Sequence, residues 1–215
     1  MTNIMVLCDD LWHPGEVIMR GFCGLGRDEF TFDFIMDAKD ILSPELLAGY
    51  PAVICCKGDY INAANKAPWF EDGVTEVGVR EFEDYVAGGG GFLSIHSANT
   101  AAEGSPYAAF AGNSFIGHPP RCKVDVEIIG NHPVVQGVSN FTIRDEHYQI
   151  AVNTDEIIEL FHTVSETGGD QIGGYARQIG KGRLCVMTPG HLLSVWEHGE
   201  YRKLLLNALR WCLKH

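Results

Sequence analysis

Short unbroken apolar runs alternate along the chain with stretches in which apolar residues recur at helical spacing. The run Asn3 to Cys8 predicts a first strand, which opens into a polar loop of Asp9, Asp10, Trp12 and His13. Pro14 stands where a first helical turn begins, and 16–25 predicts the helix, closed by Gly24 and Gly26. Phe30 to Met36 alternates aromatic and polar residues, a second strand. Ser43 caps a short helix with Pro44 in its first position, running to Ala48. Pro51 to Cys56 predicts a third strand, left by Lys57, Gly58 and Asp59. Val74 to Ala87 sets Val79, Phe82 and Val86 on one helical face before the glycines Gly88 to Gly91. The run Gly91 to Ile95 suits a buried strand, and it passes without a spacer into His96, Ser97 and Asn99. Strand and helix thus alternate four times in the first 96 residues, the pattern of an α/β fold with a doubly wound parallel sheet.

The second half reads differently. Ser105 and Pro106 open a short helix through Phe110, ended by Gly112. Phe115 to Pro120 is too rich in glycine and proline for regular structure. Lys123 to Ile129, Ile157 to Val164, Gln171 to Ile179 and Leu184 to Thr188 predict strands, the last two joined by a Gly180-Lys181-Gly182 hairpin, and Phe141 to Arg144 leads into the polar cluster Asp145 to Tyr148. Tyr201 to Leu213 predicts a terminal helix. Mixed and antiparallel additions to a parallel sheet are expected, with no linker or repeat, so 1–215 reads as a single domain.

Composition narrows the partners. A formal charge of −12 with no basic block argues against nucleic acid and anionic membrane surfaces. The apolar stretches are of strand length, too short to cross a membrane, and the amino terminus reads as a strand rather than a signal peptide. The seven cysteines form no C-x-x-C pair, and adjacent Cys55 and Cys56 point to opposite faces of a strand. Reduced, buried thiols in a cytoplasmic protein are expected.

Nine histidines are a surplus for 215 residues. His96 and His191 each follow the carboxyl end of a predicted strand, where a parallel sheet binds ligands, and His13 lies in the first strand's exit loop. His118 sits in the glycine- and proline-rich loop; Asp145, Glu146 and His147 are adjacent, and sequence does not say which of them faces a cleft. Imidazole opposite a carboxylate suits general acid–base work, and equally a divalent metal, zinc first. Both a metal centre and a metal-free network stay open. His132, His162 and His198 read as structural. Ser97 lacks a G-x-S-x-G context and serves the turn better than it serves as nucleophile. The glycine run precedes its strand, so it is no phosphate loop. Trp12, Trp69, Tyr107, Tyr148 and Trp196 read as loop aromatics able to stack on a sugar ring.

Five motifs in order carry a resemblance: GGGFLSIHSA (89–98), FIGHPP (115–120), NHPVVQGV (131–138), DEHY (145–148) and GKGR…TPGH (180–191). Together the chain resembles the ThuA-like, or trehalose-utilisation, family. The resemblance implies a flavodoxin-like sheet of the class I glutamine amidotransferase type and a role in sugar catabolism. It implies a pocket of His96, Ser97, His118, Glu146 and His191, with His13 matching less securely because the Trp12-His13-Pro14-Gly15 sequence departs from the usual pattern. No cysteine stands in Ser94-Ile95-His96-Ser97-Ala98, so glutaminase activity is not expected. The expectation is an enzyme acting on a disaccharide or keto-sugar by isomerisation, epimerisation or elimination. His96, His118, Glu146 and His191 would be catalytic, and His13, Ser97, Asp145, Tyr148 and Trp196 would bind substrate. A non-catalytic sugar-binding or regulatory module is the alternative, and self-association as a homo-oligomer is expected in either case.

Overall fold

A computed structural model describes residues 1–36, 38, 41–58 and 77–214. The readings made for Asp59, Trp69, residues 74–76 and His215 lie outside these residues. The first half runs β1 (Thr2–Leu7), α1 (Gly15–Phe22), β2 (Phe30–Ile35), α2 (Pro44–Ala48), β3 (Ala52–Cys55), α3 (Val79–Gly88) and β4 (Gly91–Ile95). Then come α4 (Pro106–Ala111), β5 (Asn113–Gly117), β6 (Cys122–Ile128), β7 (Phe141–Asp145) and β8 (Gln149–Val152). The chain closes with β9 (Ile158–Ser165), β10 (Gly169–Ile179), β11 (Gly182–Met187), α5 (Leu193–Trp196) and α6 (Gly199–Cys212).

Among the described residues one mixed sheet holds nine strands in the order β2-β1-β3-β4-β11-β10-β9-β6-β7. The first five are mutually parallel, and the rest join antiparallel. A parallel strand covered on both faces must be apolar throughout, which is why β3 and β4 are buried at every position. Alternate side chains feed two cores. Ile4 and Val6 pack with Ile18 and Phe22 of α1 and Leu205 and Leu209 of α6; Met5 and Leu7 pack with Leu47 of α2 and Phe82 and Val86 of α3. Cys55 and Cys56 fall into opposite cores, as their adjacency requires.

Local signals place the ends. The Ser43 hydroxyl accepts the Leu46 N–H and the Ser105 hydroxyl accepts the Ala108 N–H, each ahead of a proline that starts its helix. The segment expected to be irregular is so only from His118 to Pro120: Asn113–Gly117 forms β5 and pairs antiparallel with β8, a strand the pattern did not predict. Gly117 sits at the strand's end and Pro119 beyond it, so neither interrupts the ladder. This two-stranded ribbon stands apart from the main sheet.

Candidate active site

The parallel strands deliver their polar residues to one end of the sheet. His13 and Asp10 follow β1, Gly58 follows β3, His96 follows β4, and Thr188, Gly190 and His191 follow β11. The excursion through β5 and the β7–β8 connection adds His118, Glu146 and Tyr148. One carboxylate oxygen, Oε2 of Glu146, is the meeting point. It lies 3.2 Å from His191 Nδ1, 3.6 Å from His96 Nε2 and 3.6 Å from His118 Nε2. His13 completes the cluster, its ring edge-on to His96 at 4.8 Å and to His191 at 5.0 Å between centroids.

Each ring is oriented from behind. Nδ1 of His13 meets the Asp10 carboxylate at 2.6 Å, and Nδ1 of His96 meets the Thr188 carbonyl at 2.8 Å. A carbonyl and an ionised carboxylate only accept, so both Nδ1 atoms carry a hydrogen and both Nε2 atoms face inward. Those two atoms and Nδ1 of His191 are buried without a hydrogen-bond partner. His191 Nδ1 is close enough to Glu146 for charge attraction, yet not aligned as a hydrogen bond. Tyr148 is sandwiched between His96 and His118, at 4.1 Å and 5.4 Å between ring centroids, and so fixes both planes. Nδ1 of His118 meets the Pro119 carbonyl at 2.9 Å.

Backbone strain accompanies this packing. His96 has φ 47° and Asp9 φ 75°, both in the left-handed region that a side chain disfavours. His96 therefore occupies a sharp turn at the end of β4. Gly190 (φ 150°) makes room for it: a Cβ there would lie 2.9 Å from the Cβ of His96.

The electrostatics follow from burial and pairing. Burial opposes charge on Glu146, but His191, His96 and His118 overcome it and hold the carboxyl well below the usual range. Burial likewise opposes charge on Asp10, yet His13 and the Gly58 and Trp12 amides bring it down to about 2. Burial lowers His13 against the pull of Asp10, and the neighbouring His96 and His191 push it the same way, favouring a neutral ring.

The structure brings His13, His96, His118, Glu146, His191 and Tyr148 together as sequence reasoning proposed, and it selects Glu146 as the member of its triplet that faces the pocket. Asp145 turns away: its carboxylate accepts the Gly190 and His191 N–H groups at 2.7 and 3.1 Å and so shapes the turn that presents His191. Its burial raises its carboxyl despite those bonds. His147 points elsewhere too, to Ser165 and the Thr163 carbonyl. Ser97 is buried and donates to the Cys56 carbonyl, a positioning contact. Trp196 is corrected: it lies in α5, not a loop, with no exposed surface, and its indole donates to the Gly190 carbonyl. Tyr107 is also helical and buried, whereas Trp12 is exposed beside His13. The orienting role of Asp10 was missed; the carboxylate three residues before His13 in a strand's exit loop was the available signal.

Four groups could hold a metal: His13, His96, Glu146 and His191, whose ligand atoms all lie within 4.8 Å of one another.

Comparison with known proteins agrees with this frame. The family model ThuA, described as trehalose utilisation, matches residues 15–212. A ThuA-like protein of Bacteroides uniformis superposes with TM-score 0.71 at 21% identity, covering 98% of this chain and 91% of that one. One from Parabacteroides merdae gives TM-score 0.75 at 16% identity, covering 99% and 90%. The chain also matches 31% of the β-galactosidase of Rahnella sp. R3, with all of its own length covered, TM-score 0.67 and 13% identity. At such identities these structures speak for the fold alone. A search of curated proteins finds no significant match. No helix among the described residues is long and apolar enough to cross a membrane.

Proposed function

The chain belongs to the ThuA family, described as trehalose utilisation, and from that membership and the pocket we propose an enzyme of disaccharide catabolism that acts on a keto-sugar. The observation that carries the reading is the convergence of three imidazoles on one oxygen of Glu146. The chemistry that suits it is proton transfer beside a carbonyl. The C–H bond next to the carbonyl breaks, its proton passes to a base, and the electron pair moves onto the carbonyl oxygen to give an enediolate. Return of the proton to the former carbonyl carbon, with the hydroxyl proton of the first carbon passing to the former carbonyl oxygen, isomerises the sugar; return of the proton to the first carbon from the opposite face epimerises it.

His118 is the proton carrier in this scheme. With Nδ1 engaged by Pro119, its Nε2 is the available atom, its side chain is a third exposed, and Glu146 faces the proton once it arrives. His13, His96 and His191 are buried deeper and form the floor of the site. Two carboxylates flanking a glycosidic bond are not available, since Asp145 is committed to backbone amides. With His96 at the turn after β4 and no cysteine there, glutamyl thioester chemistry is not expected. We read the order β2-β1-β3-β4-β11 as the flavodoxin-like, doubly wound arrangement, within a single domain acting in the cytoplasm.

The test is incubation with trehalose, simple glucosides and their 3-keto forms in D2O, followed by NMR. Deuterium entering the carbon beside the carbonyl, with a new keto-sugar accumulating, is the expected result. Binding of the keto-sugar with neither exchange nor product would replace the enzyme by a sugar-binding module.

A further inference from the structure

We propose that His13, His96, His191 and Glu146 form a site for one divalent transition-metal ion, with Zn2+ the best match. This deepens the functional reading and rests on it for what the ion would do, while its presence is measured without any substrate.

Of the six buried side-chain polar atoms without a partner among the described residues, three are the inward nitrogens of these rings. An unmet buried polar atom is costly, so three side by side call for a common occupant. Their chemistry says which kind. The Asp10 carboxylate and the Thr188 carbonyl hold the Nδ1 atoms of His13 and His96, which turns their Nε2 atoms inward. With Nδ1 of His191 these atoms gather about the Glu146 carboxylate, and none of the three has a hydrogen-bond partner. Ligand atoms gathered in this way suit a shared positive charge at their centre. Protons could supply that charge, but several imidazolium rings about 5 Å apart in a buried pocket would repel in turn. One divalent ion satisfies all four groups at once.

In a tetrahedral zinc site with bonds of about 2.0–2.1 Å, ligand atoms stand about 3.3 Å apart. Two separations are near that value, Glu146 Oε2 being 3.2 Å from His191 Nδ1 and 3.6 Å from His96 Nε2. The whole set spans up to 4.8 Å, so its widest pair must draw together around an ion. Three nitrogens and one oxygen are a borderline donor set that zinc and cobalt favour over magnesium or calcium. The outer partners are those metal-bound imidazoles ordinarily have, a carboxylate behind His13 and a backbone carbonyl behind His96. An ion there would polarise a carbonyl oxygen. His118 stands outside the four and stays free to move a proton.

The experiment uses untagged full-length protein, stripped with chelator and dialysed, then titrated with Zn2+ and with Co2+. Zinc uptake is followed by calorimetry and metal analysis, cobalt by its visible spectrum, and folding by circular dichroism. One equivalent should bind, cobalt should show the intense bands of a tetrahedral site, and the unfolding midpoint should rise with zinc. Glu146→Gln and His13→Gln should abolish stoichiometric binding, Asp10→Asn should weaken it roughly 10–100-fold, and the surface variant His162→Gln should bind as the parent does. Because His96 occupies a strained turn, its replacement is not relied on. No stoichiometric uptake by the folded parent, or an unchanged cobalt spectrum in folded Glu146→Gln and His13→Gln, overturns the proposal. Turnover without uptake removes the ion and leaves the keto-sugar reading; uptake without turnover does the reverse.

Discussion

One Asp10 carboxylate ties two strand exits together: Oδ1 meets Nδ1 of His13 at 2.6 Å, and Oδ2 accepts the Gly58 N–H at 2.8 Å. The loop after β1 and the loop after β3 are thus held by a single side chain buried beneath the pocket. Replacing Asp10 with alanine leaves the His13 ring and the Trp12, His13 and Gly58 amides without that acceptor. A loss of roughly 2–4 kcal/mol is expected from these unmet donors, read as a shifted urea midpoint with unchanged slope. In the same variant the His13 tautomer should no longer be pure, which nitrogen-15 NMR of the ring reports.

Gly190 tests how tightly the turn under His96 is packed. Alanine there meets a φ of 150° and the Cβ of His96 at 2.9 Å, with Trp196 at 3.2 Å. Strain and overpacking together should cost roughly 2–4 kcal/mol, a fall in Tm of roughly 5–15 °C for a chain of this size. A Tm within a degree of the parent's would mean that the turn yields more readily than this packing implies.

His118 separates chemistry from folding. Its side chain is one-third exposed and makes one backbone contact, so His118→Gln should leave the Tm nearly unchanged. On the keto-sugar that proves to be turned over, kcat should fall about 10²–10⁴-fold, the range of a lost general base, with little change in KM. A raised KM with kcat unchanged would instead assign the ring to substrate binding.

Away from the Glu146 cluster, His162 of β9 lies 3.0 Å from Glu159 and 2.7 Å from Asp170. The Glu159 hydrogen bond, and then Asp170, raise its pKa above 6.5 against a smaller opposing effect of burial. A group whose pKa rises on folding stabilises the protein at low pH. Its contribution should therefore be complete below about pH 6.5 and fade as pH climbs through the folded value. Proton NMR titration should show the raised midpoint in the parent and its return toward 6.5 in Glu159→Gln/Asp170→Asn. The exposed pair of carboxylates makes the gain in stability small.

The thiols offer a chemical count of what is buried. Cys23 is exposed and Cys122 partly so, whereas Cys8, Cys55, Cys56, Cys185 and Cys212 are buried. Burial pushes Cys8 and Cys185 up to about 12 and Cys55 to about 11, so little thiolate forms at neutral pH. Ellman's reagent should label Cys23 quickly and Cys122 slowly in the native protein, and all seven cysteines only after unfolding. Rapid labelling of a third native thiol would contradict this packing.

His96 and His191 were legible in sequence because a parallel strand ends in a fixed place, and polar residues that follow it directly have nowhere else to go. Trp196 was not: a tryptophan in a glycine- and histidine-rich stretch looks like a rim residue until the four-residue helix α5 turns it against Phe22 and Tyr201. Nor was the choice among Asp145, Glu146 and His147, because the last residue of β7 alternates with its neighbours about a bend whose direction depends on β8, itself unpredicted. The short ribbon of β5 and β8 carries little apolar periodicity and is held by tertiary placement. Sequence pattern thus predicted the scaffold and the imidazoles rooted in it, and was silent on contacts made by loops that cross it.

The groups around Glu146 come from both ends of the chain, from the loop after the first strand to the loop after the last. A ribosome-bound nascent chain therefore owns the early imidazoles long before it owns the late ones, and β11 must slot between β4 and β10 before the set can close. Any partly made or misassembled copy leaves these side chains scattered in water. The pocket is in this sense a certificate of completion, legible only on a finished molecule.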